Sequence, residues 1–391
     1  MIFIKNNKEQ SLRWSNIAKE VSALGADAIL VSSLSNNFYT AGRVFMGYSL
    51  ILKNGEAYFF VRRPIDAEGE GVVVIRKPYD IMSFLSSQGI KIATLLFEGD
   101  TMSLSDYNRL IPIFEGVKFV NGSSVLRSVR SVKTTYEVDL IRSSAAIHTK
   151  TYNQIPKLFK KGMSDRDLSL LIEGEMRKNG SIGISRIAGD SMEIHVCTVL
   201  VGDNADSLSP YDFATTGAGV DESFPVGYND TIIKEGMSVM VDGCANSNGY
   251  LSDMTRVFAV GEISALAQKA YDVSIEIYHT MVSMIKEGTP CSDIYNKAYE
   301  MASAAGLSDY FMGHAQQAGF VGHGVGIELN EAPVLAPRSK DIIKIGMVLA
   351  LEPKFVIPGV GVLGVENTVS VTDKGVENLT TCTDKLINLY S

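Results

Sequence analysis

The stretch Ile232-Ile233-Lys234-Glu235-Gly236-Met237-Ser238-Val239-Met240-Val241-Asp242 recurs as Ile342-Ile343-Lys344-Ile345-Gly346-Met347-Val348-Leu349-Ala350-Leu351-Glu352. Five of the eleven positions are identical, and each copy is an apolar run that ends in a carboxylate. Upstream, Phe159-Lys160-Lys161-Gly162, Asp167-Leu168 and Gly180 recur as Ile285-Lys286-Glu287-Gly288, Asp293-Ile294 and Gly306. Each copy reads as a helix end, a turn and a second helix. Two copies of a helix pair followed by strands imply a duplicated half-domain rather than an extended array.

A carboxylate at the end of a buried strand is costly unless something positive neutralises it. The first half carries two such acids, Asp242 and Asp253, on apolar runs separated by Asn246-Ser247-Asn248-Gly249, a turn cluster. A hairpin folded about the middle of that turn puts Asp242 directly opposite Asp253, where like charges repel. The second half repeats the pattern with Glu352 and Glu366 around Gly359-Val360-Gly361-Val362. Asp253-Met254-Thr255 and Glu366-Asn367-Thr368 share a trailing threonine. A pseudo-twofold relation between the halves brings all four acids together, and two divalent cations resolve their repulsion. His323, in Val321-Gly322-His323-Gly324-Val325-Gly326, supplies a fifth ligand. One imidazole among carboxylates suits Mn best, with Co, Zn or Fe also suitable, rather than Mg. Two such ions roughly 3.5–4 Å apart can hold a bridging hydroxide and polarise a carbonyl, the parts needed for amide hydrolysis.

Around this core the chain reads as two domains, 1–130 and 131–391. In the first, a helix over Ser11–Leu24 stops at Gly25, and Ala28-Ile29-Leu30-Val31 is a short buried strand. Ser49–Lys53 and Glu56–Val61 flank Asn54-Gly55, the signature of a two-residue type I′ hairpin. In the second, apolar positions from Tyr136 to Leu158 recur at helical spacing, predicting one long helix stopped at Gly162, with His148 packed on its buried stripe. His279 reads as a core residue of a later helix. His195, in an apparent strand 191–201, is a candidate proton carrier, and His314 a candidate for the approach to His323. Cys244 shares a strand face with Asp242 and is read as its neighbour. The stretch Asp206–Ser223 is either a gating loop or a surface excursion.

The 391 residues carry 44 acids against 36 bases, a formal charge of −8, with 46% apolar residues. That balance gives no footprint for nucleic acid or an anionic membrane surface. The start turns polar before any secretory apolar segment forms, and four scattered cysteines without a CxxC pair read as reduced thiols of a cytoplasmic protein.

In chain order, Asp242, Asp253, His323, Glu352 and Glu366 resemble the ligands of the dinuclear metallopeptidases of the aminopeptidase P, prolidase and methionine aminopeptidase group. The resemblance rests on Met240-Val241-Asp242-Gly243, Gly249–Arg256, Gly322–Gly326, Leu351-Glu352-Pro353 and Val365–Val369. It implies an α+β fold: a creatinase-type N-terminal α/β domain, then a pita-bread catalytic domain whose two pseudo-symmetric halves pack helices on a curved antiparallel sheet. It also implies that Asp253 and Glu366 bridge two metals, that Asp242 chelates one, and that His323 and Glu352 bind the other, with Glu352 relaying a proton to the leaving amine. A homodimer is implied as well. Creatinase shares the fold without metals, and retention of all five ligand types argues against that branch.

The implied activity is that of an Xaa-Pro aminopeptidase or dipeptidase acting on the N-terminal bond of short peptides. Three auxiliary positions depart from the pattern: Pro225 and Asn330 stand where proline-specific members carry histidine, and Gly364 where some carry arginine. Asn330 can still donate a hydrogen bond to an oxyanion but cannot exchange a proton. The departures keep two alternatives open, a metal-dependent hydrolase of a small non-peptide molecule and a pseudoenzyme that retains metals.

Overall fold

The computed structural model describes residues 7–189 and 193–390. The chain divides into two compact units, Met1–Arg130 and Ser131–Ser391.

The first unit is built on a six-stranded sheet. The all-apolar strand Ala28–Val31 lies inside it, antiparallel to Met46–Leu52 and parallel to Thr94–Phe97. A helix over Asn7–Ala23 precedes it and gives way to Gly25 at φ 67°. The hairpin expected at Asn54-Gly55 forms, with a longer loop than a two-residue turn. Ile51 pairs with Ala57, the Gly55 N–H donates to the Leu52 carbonyl at 2.9 Å, and Lys53-Asn54-Gly55 becomes a three-residue loop. Gly55 at φ 90° supplies the left-handed residue that such a loop requires.

In the second unit the repeat appears as structure. Helices Thr135–Tyr152 and Asp165–Lys178 pack with one half, and Ala265–Met284 and Cys291–Ala304 with the other. Equivalent bridges tie each helix start to its strand entry, Ser164 to Ile232 and Pro290 to Ile342. The first helix is shorter than its periodicity suggested. It ends at Tyr152, and a separate turn, Ile155–Leu158, follows with Pro156 near its start, where the missing N–H breaks the ladder.

The strands form a four-stranded sheet containing Cys197–Val201, Ser238–Asn246 and Leu251–Ala259, a five-stranded sheet containing Gly322–Gly324, Val348–Leu351 and Asn367–Thr372, and a two-stranded ribbon of Lys354–Ile357 with Gly361–Gly364. Alternation sorts the first-half strands: Val239, Val241, Met254 and Phe258 face the helices, whereas Met240, Asp242, Asp253 and Val257 point the other way. Among the described residues no helix is long and apolar enough to cross a membrane.

His148 is fully buried on its helix, with Nδ1 2.9 Å from the Ser252 hydroxyl. Burial pushes its pKa down to about 3. The unfolded chain, titrating near pH 6.5, takes up the proton first, so this histidine costs stability as pH falls from about 6.5 toward 3, by up to about 1.4 kcal/mol per pH unit. A His148→Phe variant loses that slope. Urea unfolding at pH 7 and pH 5 should show the wild type losing about 2 kcal/mol relative to the variant; equal pH dependence of the two proteins would refute it. His279, expected in the core, is exposed and rests edge-on against Tyr278, because the helix buries Ser274, Ile277, Tyr278 and Met281 instead.

Candidate metal centre

Asp242, Asp253, His323, Glu352 and Glu366 all line one cavity of about 230 Å³. Its walls are apolar, with Ile187, Ile194, Phe213, Phe320, Leu329 and Val334 among them.

The two aspartates do not stand directly opposite each other. Asp242 pairs with Thr255, and Asp253 with Cys244. The turn is centred one residue later than expected, over Ser247–Tyr250, because the Asn246 carboxamide oxygen accepts the Gly249 N–H at 2.8 Å and that of Asn248 accepts the Tyr250 N–H at 3.1 Å. The pairing is displaced by an even number of residues, so both acids keep the same face.

In the second half, Leu351 pairs with Asn367 and Lys354 with Gly364. One register therefore runs through both ladders, and Glu352 and Glu366 face each other at the break between them. Pro353, which has no N–H to donate, sits in that break. The shared threonines tie the halves reciprocally. The Thr368 hydroxyl donates to the Asp253 carbonyl at 2.7 Å, and the Thr255 hydroxyl donates to the Glu366 carboxylate at 2.7 Å.

His323 lies on a strand threaded between Ala350 and Val334. A Cβ on Gly322 would stand 2.5 Å from the Ala350 carbonyl oxygen, and one on Gly324 2.2 Å from that of Ala332, so the flanking glycines allow this close strand approach. Nδ1 is 3.1 Å from the Gly324 carbonyl. A carbonyl only accepts, so Nδ1 is the nitrogen that donates there, and Nε2 is the one turned toward the acids. Nε2 lies 3.4 Å from Glu352 Oε1 and 3.7 Å from Asp253 Oδ2.

A sixth residue, which the sequence reading passed over, stands among these groups. The Lys354 Nζ donates to Asp242 Oδ2 at 2.9 Å, Glu352 Oε2 at 3.0 Å and Glu366 Oε2 at 3.1 Å. Two residues past Glu352, it shares that residue's face. The signal was a charged residue opening the apolar strand Lys354-Phe355-Val356-Ile357.

Residues 139–373 match the model of metallopeptidase family M24, and residues 13–132 match the creatinase/prolidase N-terminal domain. The chain belongs to metallopeptidase family M24. It is a hydrolase of the peptidase class, and the family implies divalent metal ions. Curated relatives of this M24 chain include uncharacterised peptidases of Bacillus subtilis (strain 168), 26% identical over 94% of this chain and 97% of the relative, and of Staphylococcus haemolyticus, 26% identical over 93% and 97%. Among solved structures, an Xaa-Pro dipeptidase from Bacillus anthracis superposes with a TM-score of 0.80 at 24% identity, covering 97% of this chain and 99% of that one. The N-terminal domain of FACT complex subunit SPT16 from Eremothecium gossypii also superposes, at 0.72 and 14%, covering 98% of each chain. Such likeness establishes the creatinase-plus-M24 fold expected from the sequence; function has to be argued from the site.

The donor set of this M24 centre fits one divalent ion readily. Asp253, His323 and Glu366 offer ligand atoms that all lie within 4.8 Å of one another. Burial first, then the neighbouring acids Glu366, Asp242 and Glu352, push the Asp253 carboxyl well above its usual range. Burial likewise raises Glu366, against the pull of Lys354. Acids so placed release their protons most readily to a cation. Burial alone draws Lys354 toward neutrality, but Asp242, Glu352 and Glu366 outweigh it and hold the ammonium protonated. A second divalent ion does not fit as readily, since that ammonium already contacts three of the four acids.

The remaining sequence candidates separate. Asn330 lines the cavity, but its carboxamide spans the Ala188 backbone, accepting from N–H at 2.8 Å and donating to the carbonyl at 3.1 Å. One amide hydrogen is left that could donate to an oxyanion. Pro225 is not among the lining residues, and neither is Gly364. His195 lies against Tyr228, ring centroids 5.0 Å apart, and is not among the lining residues; its strand begins only at Cys197, and residues 191–192 of the expected strand lie outside the described residues. His314 pairs with Asp206 at 2.7 Å and stacks on Tyr310. Asp212, Phe213, Ala214 and Thr215, from the segment read as a gating loop or a surface excursion, form part of the cavity wall.

Proposed function

We propose that this protein is a metal-dependent peptidase that hydrolyses the N-terminal peptide bond of short peptides, of the Xaa-Pro aminopeptidase or dipeptidase type. The observation that carries the reading is the convergence of Asp242, Asp253, His323, Glu352 and Glu366 on one cavity. A divalent ion held by Asp253, His323 and Glu366 supplies Lewis acidity toward a carbonyl; the imidazole among carboxylates suits Mn, with Co, Zn or Fe as substitutes. Glu352, with one oxygen held by Lys354 and the other facing His323, is the group we assign to proton transfer. The cavity's 230 Å³ is below the roughly 300–1,000 Å³ of drug-sized sites, which favours dipeptides and tripeptides over longer chains. Its apolar walls favour uncharged side chains, proline included.

Incubating the Mn-loaded protein with a panel of dipeptides and tripeptides, with and without proline, should release free amino acids. Chelation should abolish release and added Mn should restore it. A fully loaded sample that cleaves nothing in the panel rejects the reading. A second reading, hydrolysis of a small non-peptide molecule, is favoured by Asn330's engagement with Ala188 and by Gly364 standing where the family resemblance implies arginine in some members; it predicts turnover of small amides where dipeptides fail. A homodimer in a reducing, cytoplasmic compartment completes the proposal, supported for the compartment by four buried free cysteines.

A further inference from the structure

We propose that Lys354 is a built-in monovalent cation that takes one of the two cation places of this centre, so that the protein holds one divalent ion where the family resemblance implies two. The inference deepens the metal-dependent reading above. The Lys354 side chain is 1% exposed, rare for a lysine unless it is paired. Its ammonium reaches one oxygen from each of Asp242, Glu352 and Glu366 at 2.9–3.1 Å, which uses all three of its N–H donors. A metal in that place would need the Asp242 and Glu366 carboxylates at about 2.0–2.2 Å. The ammonium already takes one oxygen of each of these carboxylates, and a metal placed beside it would share them at close range against a like charge.

The direct cross-strand partner of Lys354 is Gly364, where a Cβ would stand 2.5 Å from the Pro353 carbonyl oxygen, 2.8 Å from the Lys354 Cα and 3.2 Å from its Cγ. The strands therefore approach too closely for a side chain at position 364, and the positive charge beside the acids comes from the opposite strand, at Lys354. Lys354 makes no hydrogen bond to Asp253 or His323 and takes only Oε2 of Glu366, so a set of groups that fits a single ion remains. Asp253, His323 and Glu366 are mutually within 4.8 Å, and the Glu352 oxygen turned away from Lys354 is 3.4 Å from His323 Nε2. With one divalent ion and the ammonium, three positive charges meet four carboxylates, a balance a buried site tolerates better than the bare acids.

The test counts metal ions on the full-length protein, by elemental analysis after Mn saturation and desalting and by isothermal titration with Mn. The expected wild-type result is one ion per chain, with an electron paramagnetic resonance spectrum of isolated Mn and no exchange-coupled pair. In Lys354→Ser, which removes the charge and opens the space, the count should rise to two. Two ions on the wild type, or none, overturns the proposal, as does a folded Lys354→Ser protein that still holds only one. If the variant does not fold, the wild-type count and spectrum decide alone. The count is independent of turnover. One ion with no peptide cleaved rejects the peptidase reading and leaves this inference standing, whereas two ions with cleavage does the reverse.

Discussion

Glu352→Gln is expected to lower kcat on any peptide the protein cleaves by about 10²–10⁴-fold, the range for loss of a positioned proton-transfer group. The substitution is nearly isosteric, and the carboxamide oxygen can still accept from Lys354, which holds the wild-type Oε2 at 3.0 Å. What is lost is the ability to gain and release a proton. Folding should not suffer. Glu352 is one of three acids that the single ammonium contacts, with Asp253 as a fourth nearby, so removing its charge relieves repulsion, and thermal unfolding without metal should occur at the same temperature or higher. Steady-state kinetics beside a melting curve decide the point. A folded variant with more than about a tenth of wild-type kcat would remove Glu352 from proton transfer.

The second large effect is structural. Arg256 is 4% exposed, and its guanidinium donates to the carbonyls of Thr255, Glu366, Cys382 and Thr383 and to the Asn367 side chain, while pairing with Asp384 at 2.9 Å. Arg256→Leu leaves those buried acceptors without their donor and strips Asp384 of its partner. The cost should be about 3–5 kcal/mol, the range for breaking a buried charge pair. In a unit of this size that corresponds to a fall of roughly 6–20 °C in the melting temperature of the transition that includes residues 131–391. Arg256→Lys should recover little, since one ammonium cannot reach acceptors spread around a planar fork. Calorimetry on the full chain measures the shift, and a change under about 1 kcal/mol would mean that water replaces the lost contacts.

Much of the architecture was legible because duplication writes the same instruction twice. An apolar run ending in an acid is ambiguous alone, but two copies with matching helix ends imply a common centre, and the five candidate side chains do line one cavity. Registers were less legible. The Asp242 hairpin shifted because Asn246 and Asn248 close its turn through their own carboxamides, an interaction that composition does not locate. The long first helix broke at Pro156, a proline that periodicity had overrun. Asn330 was read for what its carboxamide could donate, and the Ala188 backbone that occupies it is distant in sequence. Lys354 was passed over for a different reason. The apolar run ends at Glu352 and Pro353, whereas the same register resumes beyond Pro353 and returns a charged side chain to the same face.

The reciprocal threonine ties set up a mechanical dependence. Thr368, from the later half, fixes the backbone of Asp253, and Thr255, from the earlier half, fixes the carboxylate of Glu366. Neither half can therefore rotate its own acid without dragging on the other's. The ancestral repeat has become a clasp whose two arms lock each other, and damage to either arm would slacken both.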